Sequence, residues 1–294
     1  MLILICDAFD PSLPDKLRVF GEVTEDPSRL GEAEVALVRS RTKCTAEWFA
    51  QARKLKLVIR GGVGMDNIDL EAAKARGVKA VNTPKASAIA VAELTMALML
   101  ALPNRLVEAH NSMKEGKFLK KELKRTELFG KTLGLVGIGN IGREVALRAR
   151  AFGMRVLAYD PYVKQSDCAI LVAGLKELLA QADYVSLHVP LTEETKGLVN
   201  KQTLALFKDG AYLINTGRGK CVVEEDVAEA LRSGKLSGYA TDVYATEPPE
   251  PGNPLLAAPN TLLTPHIGAS SKENLLRIGE EVVKILEEYT GKRA

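Results

Sequence analysis

Residues 132–151 read TLGLVGIGNIGREVALRARA, and this run constrains the fold more than any other stretch. Five largely apolar residues, the length of a buried strand, lead into Gly137-Ile138-Gly139-Asn140-Ile141-Gly142, after which apolar residues recur at helical spacing. Strand, glycine turn and helix in this order form the arrangement that holds a dinucleotide. The first glycine makes the tight turn, the second lets the backbone approach a pyrophosphate, and the third lets helix and strand pack closely. The phosphates then meet the positive end of the helix. The next apolar run, RVLAYDP, ends at Asp160, eighteen residues beyond Gly142, where an acid meets the ribose hydroxyls. Its carboxylate would repel a 2′-phosphate, and no arginine follows in YDPYVK, so NAD is expected over NADP. A plain glycine-rich turn is the bland alternative, and the order of the flanking segments argues against it.

The fingerprint starts about 130 residues into the chain. Before it, short branched runs (LILIC, VALVRS, LKLVIRGG, VKAVNTP) alternate with helix-period segments such as DLEAAKARG, a pattern of βαβ units and parallel sheets. A continuous helical passage is expected from Ala88 to about Lys114, then a charged connection or arm to Lys131. From Thr132 the alternation resumes through RVLAYDP, DYVSLHVP, AYLINTG and LSGYATDVY. The last segment places Leu275, Ile278, Val282, Ile285 and Tyr289 on one stripe and reads as an amphipathic helix. Two α/β domains with a substrate between them would suit hydride transfer, because closure excludes water.

Totals narrow the function. Forty basic against thirty-seven acidic residues leave +3, without the clustered excess of a nucleic-acid-binding surface, so no nucleic acid is expected. The longest apolar stretch, AIAVAELTMALMLAL, is shorter than the ~18 residues of a membrane span and contains Glu93, so no membrane is expected either. Cys6, Cys44, Cys168 and Cys221 form no CxxC pair and no cluster with histidine, which argues for reduced thiols, a cytoplasmic protein and no metal.

Three further stretches stand at turns after strands of the second domain: NTGRG with Arg218, DVYATEPPEPGNP with Asp242 and Glu247, and TPHIGAS with His266. Arginine binds a carboxylate bidentately and polarises the adjoining carbonyl. Histidine titrates near neutrality and can protonate the carbonyl oxygen as hydride reaches carbon. A glutamate beside it would orient the ring and raise its pKa. Alone, a histidine before glycine reads as a structural residue; Arg218, Glu247 and the fingerprint at the same sheet edge reverse that. His188 in SLHVP is expected to face the cofactor or the core, and His110 the surface or an interface.

The stretches RGGVGMDNIDLEAAKARGVKAVNTP, AELTMALMLAL, GKTLGLVGIGNIGREVA, LHVPLTEETKGLVN, LINTGRG and TPHIGASS resemble the D-isomer-specific 2-hydroxyacid dehydrogenases over nearly the whole length. The resemblance implies two doubly wound parallel-sheet, Rossmann-like α/β domains with a cleft between them. The substrate-binding domain would be 1–97 with 268–294, and the NAD-binding domain 98–267. It assigns Arg218 to the substrate carboxylate, His266 to proton transfer and Glu247 as its partner. Asp242 would hold the nicotinamide carboxamide, and the backbone of Val63 and Gly64 would cradle the carboxylate. Gly137, Gly139, Asn140, Ile141, Gly142, Asp160, Val189, Thr216, Gly217, Gly268 and Ala269 would line the cofactor. VALVRSRTKCTAEW and VIRGGVGMDNIDLEAA resemble the D-3-phosphoglycerate dehydrogenase branch in a short form lacking a regulatory domain, with Arg39 and Arg60 to bind a substrate phosphate. A glyoxylate or hydroxypyruvate reductase uses the same residues, and a non-enzymatic NAD-sensing corepressor is the reading from another class. The resemblance also implies a homodimer, or a tetramer, built on the cofactor domains. Ser87 and Ala88 replace the Asn and Ser frequent in relatives, and Lys220 and Cys221 replace small or apolar residues.

Overall fold

The branched runs LILI, VALV and LVIR form adjacent strands that are buried on nearly every residue, as a parallel sheet covered on both faces requires. The structure, a computed structural model, describes residues 1–293. It divides into two compact units, Met1–Ala90 with Ala269–Ala294, and Val91–Gly268.

The first unit holds five parallel strands, β1 (Leu2–Ile5), β2 (Glu22–Thr24), β3 (Val35–Val38), β4 (Leu57–Arg60) and β5 (Lys79–Asn82), in the order β2-β1-β3-β4-β5. Helices α1 (Leu13–Leu17), α2 (Ala46–Gln51) and α3 (Leu70–Ala75) connect them. The C-terminal helix α11 (Lys272–Thr290) returns to this unit and joins Ile278, Val282 and Leu286 to a core of Ile3, Leu17, Leu37 and Ile59. Its buried stripe is Asn274, Ile278, Val282 and Leu286, at i,i+4 spacing. Tyr289, expected on that stripe, is 41% exposed, because strict i,i+4 recurrence brings Leu286 inward instead.

The second unit holds seven parallel strands: β6 (Thr132–Val136), β7 (Arg155–Tyr159), β8 (Ile170–Leu171), β9 (Tyr184–Leu187), β10 (Ala211–Asn215), β11 (Leu236–Thr241) and β12 (Thr261–Leu263). Their order is β12-β11-β10-β9-β6-β7-β8, so the sheet winds outward in both directions from the β6–β9 pair. Ligands of such sheets bind outside the strand carboxyl ends at that reversal. Its helices are α4 (Ala88–Ala101), α5 (Leu106–Lys114), α6 (Asn140–Ala151), α7 (Leu175–Gln181), α8 (Lys201–Leu204), α9 (Glu224–Arg232) and α10 (Pro254–Ala257).

The helix expected from Ala88 to Lys114 is two helices, bent by 64°. Pro103 stands in the break and Arg105 takes a left-handed φ of 51°, which ends the first helix and re-aims the second. α4 begins at Ala88 but buries Ala92, Met96, Leu98 and Met99 in the second unit's core, so the unit boundary falls at residues 90–91 rather than 97–98. Among the described residues no single helix is long and apolar enough to cross a membrane. A concavity of about 430 Å³, lined by Leu102, Arg105, Lys124, Tyr212, Leu236 and Asn260, opens at the amino ends of β10–β12, away from the residues discussed next.

Candidate active site

Every second-unit residue assigned from the sequence to catalysis or the cofactor lies at or beyond the carboxyl end of a strand. The glycine fingerprint follows β6, Asp160 ends the β7 run, Val189 follows β9, Thr216–Arg218 follow β10, Asp242 and Glu247 follow β11, and His266 follows β12.

The glycine turn tests whether a dinucleotide fits. Gly137 takes φ 89°, and a Cβ there would stand 2.6 Å from the His188 carbonyl. A Cβ on Gly142 would meet the Gly137 carbonyl at 2.4 Å, so this glycine is what lets α6 start against β6. A Cβ on Gly139 would meet nothing within 4 Å; it would stand in open space, where a pyrophosphate must approach. Gly139 is also the N-cap of α6 and offers no side-chain oxygen to its first turn, so that end keeps its preference for an anion. Asp160 Oδ2 accepts from Ile138 N–H at 3.0 Å and Oδ1 from Tyr162 N–H at 2.9 Å. A carboxylate has about four acceptor sites, so both oxygens retain capacity for ribose hydroxyls. These features fit the dinucleotide. His188 lies under the turn: Nε2 pairs with Ser186 Oγ at 2.9 Å, Nδ1 is buried without a partner, and burial pushes its pKa down to about 4. A ring that stays neutral at physiological pH is no general acid.

His266 Nδ1 lies 2.6 Å from Glu247 Oε2. A carboxylate oxygen only accepts, so Nδ1 carries the hydrogen and the Nε2 lone pair is set to take a proton. Both side chains are 37% exposed. Burial alone would raise the Glu247 carboxyl, but its bond to His266, the imidazolium charge, the Tyr244 amide and the Arg218 charge together hold it below the usual carboxylate range. The Tyr244 N–H donates to Glu247 Oε1 at 3.1 Å, and the Tyr244 hydroxyl donates to the Thr264 carbonyl, tying the two loops.

His266 takes φ 54°, a left-handed conformation that costs a non-glycine residue roughly 1–2 kcal/mol. Asp242 offsets this: its buried carboxylate accepts from Thr264 Oγ1 (2.6 Å), Ile267 N (2.9 Å) and Gly268 N (2.7 Å), bracketing the histidine. Asp242, expected toward the nicotinamide, is 2% exposed and directs these bonds into the turn. Asn215, which sequence reading passed over, shapes the arginine loop: Oδ1 accepts from Gly217 N–H and Nδ2 donates to the Arg218 carbonyl. Thr95 on α4 donates to Val91 O, so Thr216 donates to Thr95 across 2.8 Å. Arg218 Nη1 donates to the Gly217 carbonyl.

In the first unit, the loop after β4 carries Val63 and Gly64. Gly62 N–H donates to Thr83 Oγ1, and Asn82 Nδ2 donates to the Val63 carbonyl, so β5 anchors that backbone. The Arg60 guanidinium lies where a Cβ on Gly62 would be. Arg39 donates to the Ala8 and Ala269 carbonyls at 3.2 and 3.1 Å, its Nε is buried without a partner, and among the described residues no carboxylate pairs with its side chain. Ala269, expected against the cofactor, belongs to this unit, where its carbonyl accepts from Arg39 and Asn274. Among the described residues no group of three or more His, Cys, Asp or Glu could hold a metal ion, and no disulfide links the cysteines.

The family described as "D-isomer specific 2-hydroxyacid dehydrogenase, NAD binding domain" matches residues 96–268. A hydroxypyruvate reductase of Thermotoga maritima is 48% identical over 87% of this chain and 85% of its own length. A D-3-phosphoglycerate dehydrogenase of Methanocaldococcus jannaschii is 42% identical over 94% of this chain but only 56% of its own, so the chain spans about half of that relative. The crystal structure of an Aquifex aeolicus D-lactate dehydrogenase, complexed with NAD and lactic acid, superimposes with a TM-score of 0.86 at 33% identity, covering 98% of this chain and 95% of the other. Residues 96–268 match the family's NAD-binding domain, and the chain therefore belongs to the D-isomer specific 2-hydroxyacid dehydrogenases, which are NAD-dependent oxidoreductases.

Proposed function

We propose that the chain oxidises D-3-phosphoglycerate to 3-phosphohydroxypyruvate, the first step of serine biosynthesis, and runs the reverse reduction with the same residues. The observation that carries the chemistry is the 2.6 Å bond between His266 Nδ1 and Glu247 Oε2, with Arg218 charge beside it. Bound NAD supplies the hydride acceptor. His266 Nε2 takes the hydroxyl proton as the carbinol carbon loses hydride, Glu247 stabilises the imidazolium so formed, and Arg218 binds the carboxylate. In reduction the same proton returns to the carbonyl oxygen. Within the cofactor site, Gly137 to Gly142 and Asp160 hold pyrophosphate and ribose, with Val189, Thr216, Gly217, Asp242 and Gly268 along the same sheet edge.

The choice of a phosphorylated acid rests on Arg39, whose guanidinium donates to the Ala8 and Ala269 carbonyls and, among the described residues, forms no ion pair, so that an incoming anion would supply one. Arg60, on the neighbouring strand, is the second cation proposed for the phosphate, and the Val63–Gly64 backbone is proposed for the carboxylate. The identity to a hydroxypyruvate reductase favours a second reading, reduction of unphosphorylated hydroxypyruvate or glyoxylate. NADH oxidation by the purified protein with phosphohydroxypyruvate, hydroxypyruvate, glyoxylate and pyruvate separates them. The proposal expects kcat/KM highest for the phosphorylated acid by about tenfold or more; equal or higher values for hydroxypyruvate overturn it. We also propose a homodimer built on the second unit, because Leu106, Val107, Met113, Phe118 and Phe129 are exposed apolar residues on α5 and the segment after it. Light scattering should then give twice 31.8 kDa, and a monomer at micromolar concentration excludes it.

A further inference from the structure

Glu224 opens α9 and is 9% exposed, yet among the described residues no cationic side chain bonds to it. Its partners are two donors far apart in the chain. Oε1 accepts from the Ala245 N–H at 3.0 Å, and Oε2 accepts from Asn253 Nδ2 at 2.8 Å. Asn253 cannot turn over, because its Oδ1 caps α10 by accepting from Leu255 N–H. One buried carboxylate thus pins both ends of the loop that carries Glu247. The geometry at the near end is sharper still: the successive amides of Tyr244 and Ala245 go to two different carboxylates, the first to Glu247 and the second to Glu224. The loop backbone also rests on Gly219, where a Cβ would stand 1.9 Å from the Tyr244 carbonyl carbon.

We infer that Glu224 is a positioning residue of the reaction: by bonding the Ala245 amide and Asn253 it fixes the peptide next to the one Glu247 accepts from, and so holds Glu247 against His266. The inference rests on the reading of His266 and Glu247 as the acid–base pair. Glu224 acts on them only through the loop. The charged and titratable groups that face the pair are Arg218 from the loop after β10, Asp242 through the Ile267 and Gly268 amides, and the Tyr244 hydroxyl through Thr264.

The test is Glu224→Gln in the full chain. An amide presents one acceptor where the carboxylate presented two, so one of the two donors loses its partner whichever way the side chain turns. The expected result is a fall in kcat for 2-oxo acid reduction of about tenfold, with NADH affinity within about twofold of the wild type. The pH at which reduction falls to half its maximum should move down by about half a unit, because a displaced Glu247 holds the imidazolium proton less well. Asn253→Ser is the second variant, since serine still caps α10 but cannot reach Glu224; it should show the same pH shift, and it carries the test if the first variant does not fold. Glu247→Gln is measured alongside. A wild-type pH profile in Glu224→Gln or Asn253→Ser beside a shifted one in Glu247→Gln overturns the role of Glu224 and leaves the acid–base pair standing. Unshifted profiles in all of them overturn the pair and this inference with it.

Discussion

Replacing Glu247 by Gln removes one charge and leaves the shape of the site nearly unchanged. The glutamine carbonyl can keep the Tyr244 N–H that Oε1 now accepts, and this turns its amide group toward His266 Nδ1, where donor would face donor. The ring then loses both its orienting acceptor and the carboxylate charge that stabilises imidazolium. Two unit charges about 4 Å apart attract by about 1 kcal/mol in bulk water and by about 4 kcal/mol near a protein surface. Both side chains are 37% exposed, so the solvent-screened end of that range applies, about 1–2 kcal/mol. Reduction needs the protonated ring, so its kcat/KM, which falls as pH rises, should fall at lower pH in the variant. Oxidation needs the neutral ring, so its rising limb should also move to lower pH, beneath a reduced maximum. The assay is initial-rate kinetics in both directions from about pH 5.5 to 9.5, with NADH affinity followed by fluorescence as a control for binding. Limbs that superimpose on the wild type in both directions would refute the assignment of proton transfer to this pair. A shift in one direction of reaction only would refute it too, since one titrating ring serves both.

Gly142→Ala places a methyl 2.4 Å from the Gly137 carbonyl, which only a retreat of α6 can relieve; NADH affinity should fall about 100-fold, with about 1–3 kcal/mol lost in stability. Near-normal affinity by fluorescence titration would show that the helix start is not part of the cofactor site. Asp160→Ser removes the charge opposed to a 2′-phosphate and loosens its hold on the Ile138 amide, so the ratio of NADP to NAD specificity should rise about tenfold or more; an unchanged ratio places selectivity elsewhere. For Asp7, burial pushes the carboxyl up, but hydrogen bonds from the Arg39 amide, the Thr42 hydroxyl and amide and the Arg41 side chain outweigh it and hold it below the usual range. A lowered folded value gives stability that is fully present above the unfolded carboxyl range, about pH 4, and is lost as pH falls through the lower folded value, so Asp7→Asn should cost about 2 kcal/mol at neutral pH and progressively less below pH 4. Urea titrations at both pH values check this, and an equal cost at the two would exclude the ionised carboxylate as its source.

Strands built from branched apolar runs and the glycine turn were legible because their causes are local. A run such as VALV is buried on both faces whatever surrounds it, and Gly137, Gly139 and Gly142 each answer a backbone requirement written into their own spacing. Arg218, Glu247 and His266 were legible for a different reason: parallel strands deliver every following loop to one sheet edge, so three loops far apart in sequence converge. What was not legible depended on exact register. The α4–α5 break hangs on Pro103 and the left-handed Arg105, neither of which interrupts the apolar pattern strongly. The buried face of α11 differs from the expected one at its last turn, where a shift of three residues separates Leu286 from Tyr289.

The supporting carboxylates escaped for a reason that extends beyond this chain. Asp242 accepts from the Ile267 and Gly268 amides and Glu224 from the Ala245 amide, and backbone amides have no residue type to signal them in a sequence. Glu224 opens a helix, where an acid is ordinary, and Asp242 follows a strand at a ligand-binding edge, where a role toward the cofactor is legible in the sequence and its bonds to the turn are not. Their burial and bonds assign them a common task. His266 occupies a backbone conformation that costs free energy, and the Glu247 side chain, on a loop, is more than a third exposed; neither would hold its place on local preference alone. Asp242 fixes the residues on both sides of His266, Glu224 fixes both ends of the Glu247 loop, and the 2.6 Å contact is what remains when each loop has lost its freedom separately. The proton-transfer geometry is therefore set from two directions, and loosening either support should alter the pH response before it alters cofactor binding, because Asp160 is held by the Ile138 and Tyr162 amides and not by the loops that Asp242 and Glu224 support.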